Sequence, residues 1–178
     1  MTKTGYQKLF TILCLCLIIP GCSFHGKKAL LIVDVQEEWI KHYSTTGSNT
    51  FINDVNKVIG KAAEENIIPV YILNEGGGDI DKRINVASTY IFTKKESDAF
   101  TNSELGSFLK KNNVKDVFVI GLDAAFCVYT TSQGAKDEGY RVAVVEDAII
   151  SRLEGDNYTR NLKNIQNYGI DLITSEEF

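Results

Sequence analysis

Ala29-Leu-Leu-Ile-Val-Asp34 is an unbroken apolar run that ends on an acid. A strand with one wet face alternates apolar and polar side chains, whereas a strand buried on both faces has no polar position to spare. This run is of the second kind, which belongs to parallel sheets covered by helices on both sides. The pattern recurs along the chain. Ile67-Ile-Pro-Val-Tyr-Ile-Leu73 reads as a second strand, with Pro69 tolerable only near its start. Thr89-Tyr-Ile-Phe-Thr93 is a short third, and Val117-Phe-Val-Ile-Gly121, Arg141-Val-Ala-Val-Val145 and Ile170-Asp-Leu-Ile-Thr174 bring the count to about six. Between them, Phe51, Ile52, Val55, Val58, Ile59, Ala62 and Ala63 recur at helical spacing and close near Asn66. Ser103 caps a helix through Leu105, Phe108 and Leu109, and another runs from about Cys127 to Glu138, stopped by Gly139. Asp156 caps a last helix that Gly169 ends. The alternation predicts an α/β fold: a single Rossmann-like three-layer domain with a mainly parallel sheet and helices on both faces.

At 178 residues the chain has room for one such domain and little for a second. Its 44% apolar and 24% charged residues are ordinary for a globular protein and exclude a disordered chain or a fibre. A net charge of -4 and a pI near 5.2 argue against a nucleic-acid partner, which would call for a basic stripe.

The N-terminus reads differently. Lys3 and Lys8 stand without an acid nearby, Leu9 to Ile19 is almost wholly apolar, and Pro20-Gly21-Cys22 follows. A charged start, a short apolar stretch and a small residue before the cut describe an export signal. The apolar stretch is too short to span a bilayer, which takes roughly 20 residues. Gly21-Cys22 resembles the lipobox of bacterial lipoproteins, so residues 1–21 are expected to be cleaved and Cys22 to carry lipid. Residues 22–28 then form a tether and residues 29–178 the domain, held on a membrane in the periplasm or outside the cell. Cleavage would remove Cys14 and Cys16 together with Lys3 and Lys8, taking the net charge from -4 to -6. Cys127 would be left as the free thiol, either a small buried hydrophobe or a reactive group.

Ligands of open parallel sheets bind beyond the carboxyl ends of the strands. Asp34 ends the first strand, Lys94 follows the third and Cys127 opens the helix after the fourth. Singly, an Asp after a strand is often a turn residue and a Lys is usually solvated. Together at one crevice they make a candidate active site.

The surrounding residues carry a resemblance. Asp34-Val-Gln36 with Trp39, Lys94-Lys-Glu-Ser-Asp-Ala-Phe100, and Val119-Ile-Gly121 leading to Cys127-Val-Tyr-Thr130 and Glu146-Asp147-Ala148 resemble the isochorismatase-like cysteine hydrolases over most of residues 29–150. That family uses an Asp–Lys–Cys triad. Its Asp lies five residues before an aromatic, its Lys six before a Phe and its Cys six after a Gly, which here are Asp34, Lys94 and Cys127. Lys95 is then a solvent-facing neighbour. The resemblance implies oxyanion contacts from the backbone N–H groups of Asp123 and Cys127, a cis peptide at Leu122–Asp123, and a thioester intermediate. Trp39, Tyr90 and Phe126 are candidate pocket walls, and a helix N-terminus is expected to lower the thiol pKa.

The sequence also departs from that family. Leu122-Asp-Ala-Ala-Phe126 stands where relatives often carry a Thr and an acid, and Asp98 where they usually have Ser. Nicotinamidases of the family hold a metal with an Asp and several His, but this chain has only His25 and His42, so no metal or other cofactor is expected. The expected function is a cysteine hydrolase of a small amide, carbamoyl or imide substrate, with homo-oligomers common among relatives. Two alternatives share the fold: a catalytically idle, lipid-anchored binding protein and a vinyl-ether hydrolase of the isochorismatase kind. A nucleotide or flavin binder is disfavoured, because no Gly-x-Gly-x-x-Gly follows the first strand. His42, after the first strand, is the rival to Asp34 as base.

Overall fold

The computed structural model describes residues 26–178, so the expected signal and the lipid site at Cys22 lie outside the described residues. The chain runs β1 (Lys27–Val33), α1 (Glu37–Ile40), α2 (Thr45–Glu64), β2 (Ile68–Asn74), β3 (Ile91–Lys94), α3 (Ser103–Lys111), β4 (Val114–Leu122), α4 (Cys127–Asp137), β5 (Arg141–Ile150), α5 (Gly155–Asn167) and β6 (Asp171–Ile173). The strands form one sheet in the order β3-β2-β1-β4-β5-β6, and every pairing is parallel.

Two-sided burial of β1 divides the core. Ala29, Leu31 and Val33 pack with Leu105 and Leu109 of α3, Val128 and Ala135 of α4, and Ile165 of α5. Leu30 and Ile32 face the other way, onto Phe51, Ile52, Val55, Val58, Ile59 and Ala62 of α2. The period of two in the strand is thereby matched to helical stripes on both sides, which removes most of the apolar surface from water. Phe178 closes the α2 side, its ring edge-on to Phe118 with centroids 4.8 Å apart.

Several boundaries differ from the sequence reading, each for a local reason. Helix α2 begins at Thr45, capped by Ser44, whose hydroxyl accepts the Gly47 N–H; the polar first turn hides it from an apolar-period search. Asn102, not Ser103, caps α3 by accepting the Glu104 N–H. Asp156 lies in the first turn of α5, behind an N-cap at Glu154 that makes no side-chain bond. Strand β3 starts two residues later than expected and ends on Lys94. Strand β5 continues to Ile150 because its register against β4 shifts: Val119 pairs with Val144, yet Gly121 pairs with Ile149. The shift carries the end of β5 alongside the end of β4.

Strand order reverses between β1 and β4, and the crevice opens at their carboxyl ends. There the backbones come very close. Gly121 has φ 120°, and a Cβ on it would lie 2.1 Å from the Val33 carbonyl oxygen. Gly121→Ala is therefore expected to cost about 3 kcal/mol or more, combining backbone strain with overpacking. A urea melt checks it, read as a fall in midpoint at unchanged slope.

Candidate active site

Asp34 sits one residue past β1 in the left-handed region, with φ 53°. Its N–H is held by the Ile72 carbonyl at 2.9 Å. This conformation is costly for a residue other than glycine and is held here by the strands on either side. Two residues on, the buried Gln36 accepts the Asn74 N–H and donates to the carbonyls of Asn74 and Gly78. It thus welds the turn after β1 to the loop after β2.

Lys94 closes β3, and its side chain is fully buried. An ammonium has three hydrogens to give. Lys94 Nζ lies 2.8 Å from Asp34 Oδ2, 3.3 Å from Cys127 Sγ and 3.2 Å from the Glu96 carbonyl oxygen. All three hydrogens therefore have an acceptor. Thr131 of α4 secures the loop that follows, accepting the Ala99 N–H and donating to the Ser97 carbonyl. Lys95 points out to solvent, paired with Glu75 at 3.7 Å.

Cys127 is the first residue of α4, and a cis peptide joins Leu122 to Asp123 before it. The backbone N–H groups of this loop are nearly all accounted for. That of Ala124 goes to the Ile150 carbonyl, that of Ala125 to Asp123 Oδ1, and those of Phe126 and Val128 to the Asp123 carbonyl. The N–H groups of Asp123 and Cys127 find no acceptor among the described residues. Two free donors thus flank the thiol.

The electrostatics correct one expectation. Burial pushes the Cys127 thiol up to about 11, and the negative charge of Asp34 adds to it against a smaller pull from Lys94. A helix N-terminus favours a thiolate, but burial and the Asp34 charge push the other way and favour the neutral thiol. Burial also holds the Asp34 carboxyl above its ordinary value, opposed by the Lys94 ammonium. Asp34 Oδ1 is buried without a hydrogen-bond partner, so it is a free acceptor.

A cavity of about 270 Å³ opens onto this trio, walled by Trp39, His42, Tyr43, Phe126 and Arg152 among others. Trp39 and Phe126 line it as expected. Tyr90 does not: it precedes β3, at the end of the sheet opposite Lys94, and stacks on Phe108 at 4.6 Å. His42 lines the cavity yet bonds to none of Asp34, Lys94 and Cys127. Tyr43 and Arg152 escaped the sequence reading. The Tyr43 hydroxyl donates to Asp123 Oδ2 at 3.0 Å, and Arg152 reaches the same oxygen from its backbone N–H at 2.9 Å and Nε at 3.5 Å. The Arg152 guanidinium also lies 6.0 Å from the centre of the Phe126 ring. Among the described residues no cluster of three or more His, Cys, Asp or Glu side chains is placed to hold a metal ion. Asn74 ends β2 and Glu75 and three glycines follow it, with no histidine where a histidine-rich site would need ligands, so the residues do not fit such a metal site there.

This fold and this crevice define a parallel three-layer α/β domain with a cysteine at its switch point. Residues 28–177 match the Isochorismatase domain, and the chain belongs to that family of hydrolases. It is 28% identical over 161 residues to isochorismatase family protein 2A of Dictyostelium discoideum, covering 83% of this chain and 78% of that one. Among solved structures it is similar to N-carbamoylsarcosine amidase from Thermoplasma acidophilum, at 26% identity and TM-score 0.73 over 85% of this chain and 98% of that one. It shares its fold with the pyrazinamidase of Pyrococcus horikoshii solved with zinc, at 21% identity and TM-score 0.73 over 84% and 99% of the two chains.

Burial is the larger cause of the raised thiol, but because Asp34 also raises it while Lys94 lowers it, Asp34→Asn is expected to move Cys127 below about 11. Its alkylation by iodoacetamide at pH 8 should then accelerate, as the thiolate fraction grows. The pH profile of labelling in the two proteins measures the shift; an unmoved profile refutes this account of the thiol.

Proposed function

We propose that the protein is a cysteine hydrolase of a small amide, carbamoyl or imide substrate, working through a thioester on Cys127. One observation carries the reading: a buried ammonium bridges a carboxylate and a thiol beside two unengaged backbone N–H groups. The thiol is neutral at rest, so its proton must leave as sulfur attacks, and the free Oδ1 of Asp34 is the acceptor at hand. A carboxylate held above its ordinary value is a better base for that transfer. Sulfur adds to the carbonyl carbon, and the carbonyl electron pair moves onto oxygen. The unengaged Asp123 and Cys127 N–H groups are the donors proposed for that oxyanion. Collapse of the adduct expels the amine, which takes the proton back from Asp34. Water then enters, gives its proton to Asp34, cleaves the thioester, and the thiol is restored. Lys94 holds both partners throughout and has no hydrogen left for another task.

Similarity to an enzyme named for an N-carbamoyl amino acid supports the substrate class, as does a cavity of about 270 Å³, which suits a small molecule. The experiment is a screen of small amides, carbamates and ureides for ammonia release. With a substrate in hand, Cys127→Ala should reduce turnover to background, and Asp34→Asn should slow it by roughly 10²-fold or more, opposite in sign to its effect on alkylation. His42→Ala should keep wild-type turnover within about threefold, since no hydrogen bond ties it to the trio. Retained activity in Cys127→Ala would overturn the covalent route and favour vinyl-ether hydrolysis.

We infer also that the chain is an exported lipoprotein, from its charged and apolar N-terminus and Gly21-Cys22. Strand β1 starts at Lys27, so a lipid on Cys22 would leave residues 23–26 as the spacer, about 14 Å when extended. All strand starts share one end of a parallel sheet and the cavity lies at the other, so the crevice would point away from the bilayer. Vesicles bearing the lipidated protein on their outer face should label at Cys127 with a membrane-impermeant thiol reagent as readily as the chain begun at Lys27. Protection confined to the vesicles would refute that orientation.

A further inference from the structure

We propose that the side chain of Asp123 is a positioning residue for the two N–H groups that flank the thiol, and so a determinant of acyl transfer separate from thiol activation. The inference rests on the hydrolase reading above. Its observation is the carboxylate itself. It is almost fully buried and takes five hydrogen bonds, every one from a donor. Oδ1 accepts the Ala125 N–H at 2.9 Å and the Ser151 hydroxyl at 2.9 Å. Oδ2 accepts the Tyr43 hydroxyl and the N–H and Nε–H of Arg152.

Three segments therefore meet on one anion: the loop between β4 and α4, the turn after β5 that the register shift brings alongside, and the connection between α1 and α2. The Ala125 bond is internal to the very loop whose ends are the Asp123 and Cys127 N–H groups. The Ser151 and Arg152 bonds tie that loop to β5. The Asp123 carbonyl also accepts the Phe126 and Val128 N–H groups, so backbone and side chain of one residue brace the loop. A bare carboxylate on the residue that carries one of the two N–H donors would oppose a forming oxyanion. Five donors, one of them on a guanidinium, answer its charge.

Asp123→Asn tests this with nearly the same volume. One oxygen becomes an NH₂ group and must face a donor. Arg152 offers Oδ2 two N–H groups that cannot turn round, whereas the Ser151 hydroxyl at Oδ1 can rotate to accept. The amide will therefore place its nitrogen at Oδ1, and the Ala125 N–H loses its partner. The damage falls inside the loop that carries the two donors.

The discriminating measurement compares two reactions of Cys127 at one pH. With p-nitrophenyl acetate, sulfur bonds to the acyl carbon, negative charge builds on the carbonyl oxygen, and its return expels p-nitrophenolate. With iodoacetamide, sulfur displaces iodide and no oxyanion forms. Asp123→Asn is expected to slow acylation about 10- to 100-fold, the scale of misplaced or lost oxyanion donors, and to leave alkylation within about twofold. Ser151→Ala, which removes one anchor and keeps the anion, should slow acylation about three- to fivefold, the worth of one hydrogen bond, again with alkylation preserved. An equal fall in both reactions, or no fall in acylation, overturns the inference. If Asp123→Asn does not fold, Ser151→Ala and Tyr43→Phe decide it: selective loss of acylation in either supports the proposal, and its absence from both overturns it. A wild-type protein that alkylates at Cys127 but forms no acyl adduct overturns the hydrolase reading, and this inference with it. A wild type that acylates, with an unaffected Asp123→Asn, overturns the inference alone.

Discussion

A fully buried lysine ammonium has three hydrogens, and in this molecule each finds one acceptor. Much of the structure can be read as what that arrangement requires. An isolated charge at this depth would be prohibitive, and a charge pair breaks even only when its remaining valences are also filled. Asp34 fills one, from a left-handed turn that the β1–β2 pairing holds in place. Glu96 fills another with its carbonyl, from a loop that Thr131 fastens to α4. Cys127 fills the third, and α4 can present it only because β4 ends beside β1, where Gly121 lets the two backbones touch. Remove any support and the buried ammonium is left short of an acceptor.

The sheet was legible because burial on both faces writes itself into composition. Ala29 to Val33 has no polar residue to mislead, and the reversal of strand order follows once helices must cover both sides. Asp34, Lys94 and Cys127 were legible for a related reason: each stands at a strand or helix boundary, where the carboxyl-end rule concentrates chemistry. Tyr90 misled because a short edge strand gives no cue to which of its ends an aromatic belongs. Just before β3 it packs against Phe108 of α3 and stays partly exposed, away from the crevice.

What escaped has a common cause in the register of β5. Glu146 and Asp147 look like the end of a strand, so Ser151 and Arg152 read as distant loop residues. The shift between Val119 and Gly121 lets β5 run on to Ile150 and brings them against the β4–α4 loop. Sequence carries no mark of such a slip, because pairing is decided between strands and not within one. The same holds for Tyr43, whose partner is 80 residues away. The state of the thiol was misjudged for a different reason. A helix N-terminus can be counted along a chain, while desolvation by the surrounding core cannot.

A neutral thiol looks like poor equipment for a nucleophile, but the charge balance of the site argues otherwise. Before attack the trio carries one cation and one anion, with the proton on sulfur. If the proton passes to Asp34, the trio still carries one cation and one anion, with the negative charge now on sulfur. Lys94 lies within hydrogen-bonding reach of both seats of that charge, so the transfer moves charge between two arms of one ammonium and creates none in the buried site. Strong low-dielectric interactions make separated charge expensive, and they make a compensated exchange comparatively cheap. The thiolate is thus needed only for the moment in which a carbonyl is present to receive it. The sulfur's charge then passes to an oxygen beside the free N–H groups of Asp123 and Cys127. In this arrangement raising the thiol is no obstacle to catalysis: it keeps sulfur protonated, and so less reactive towards oxidants and stray electrophiles, until substrate displaces water from the cavity.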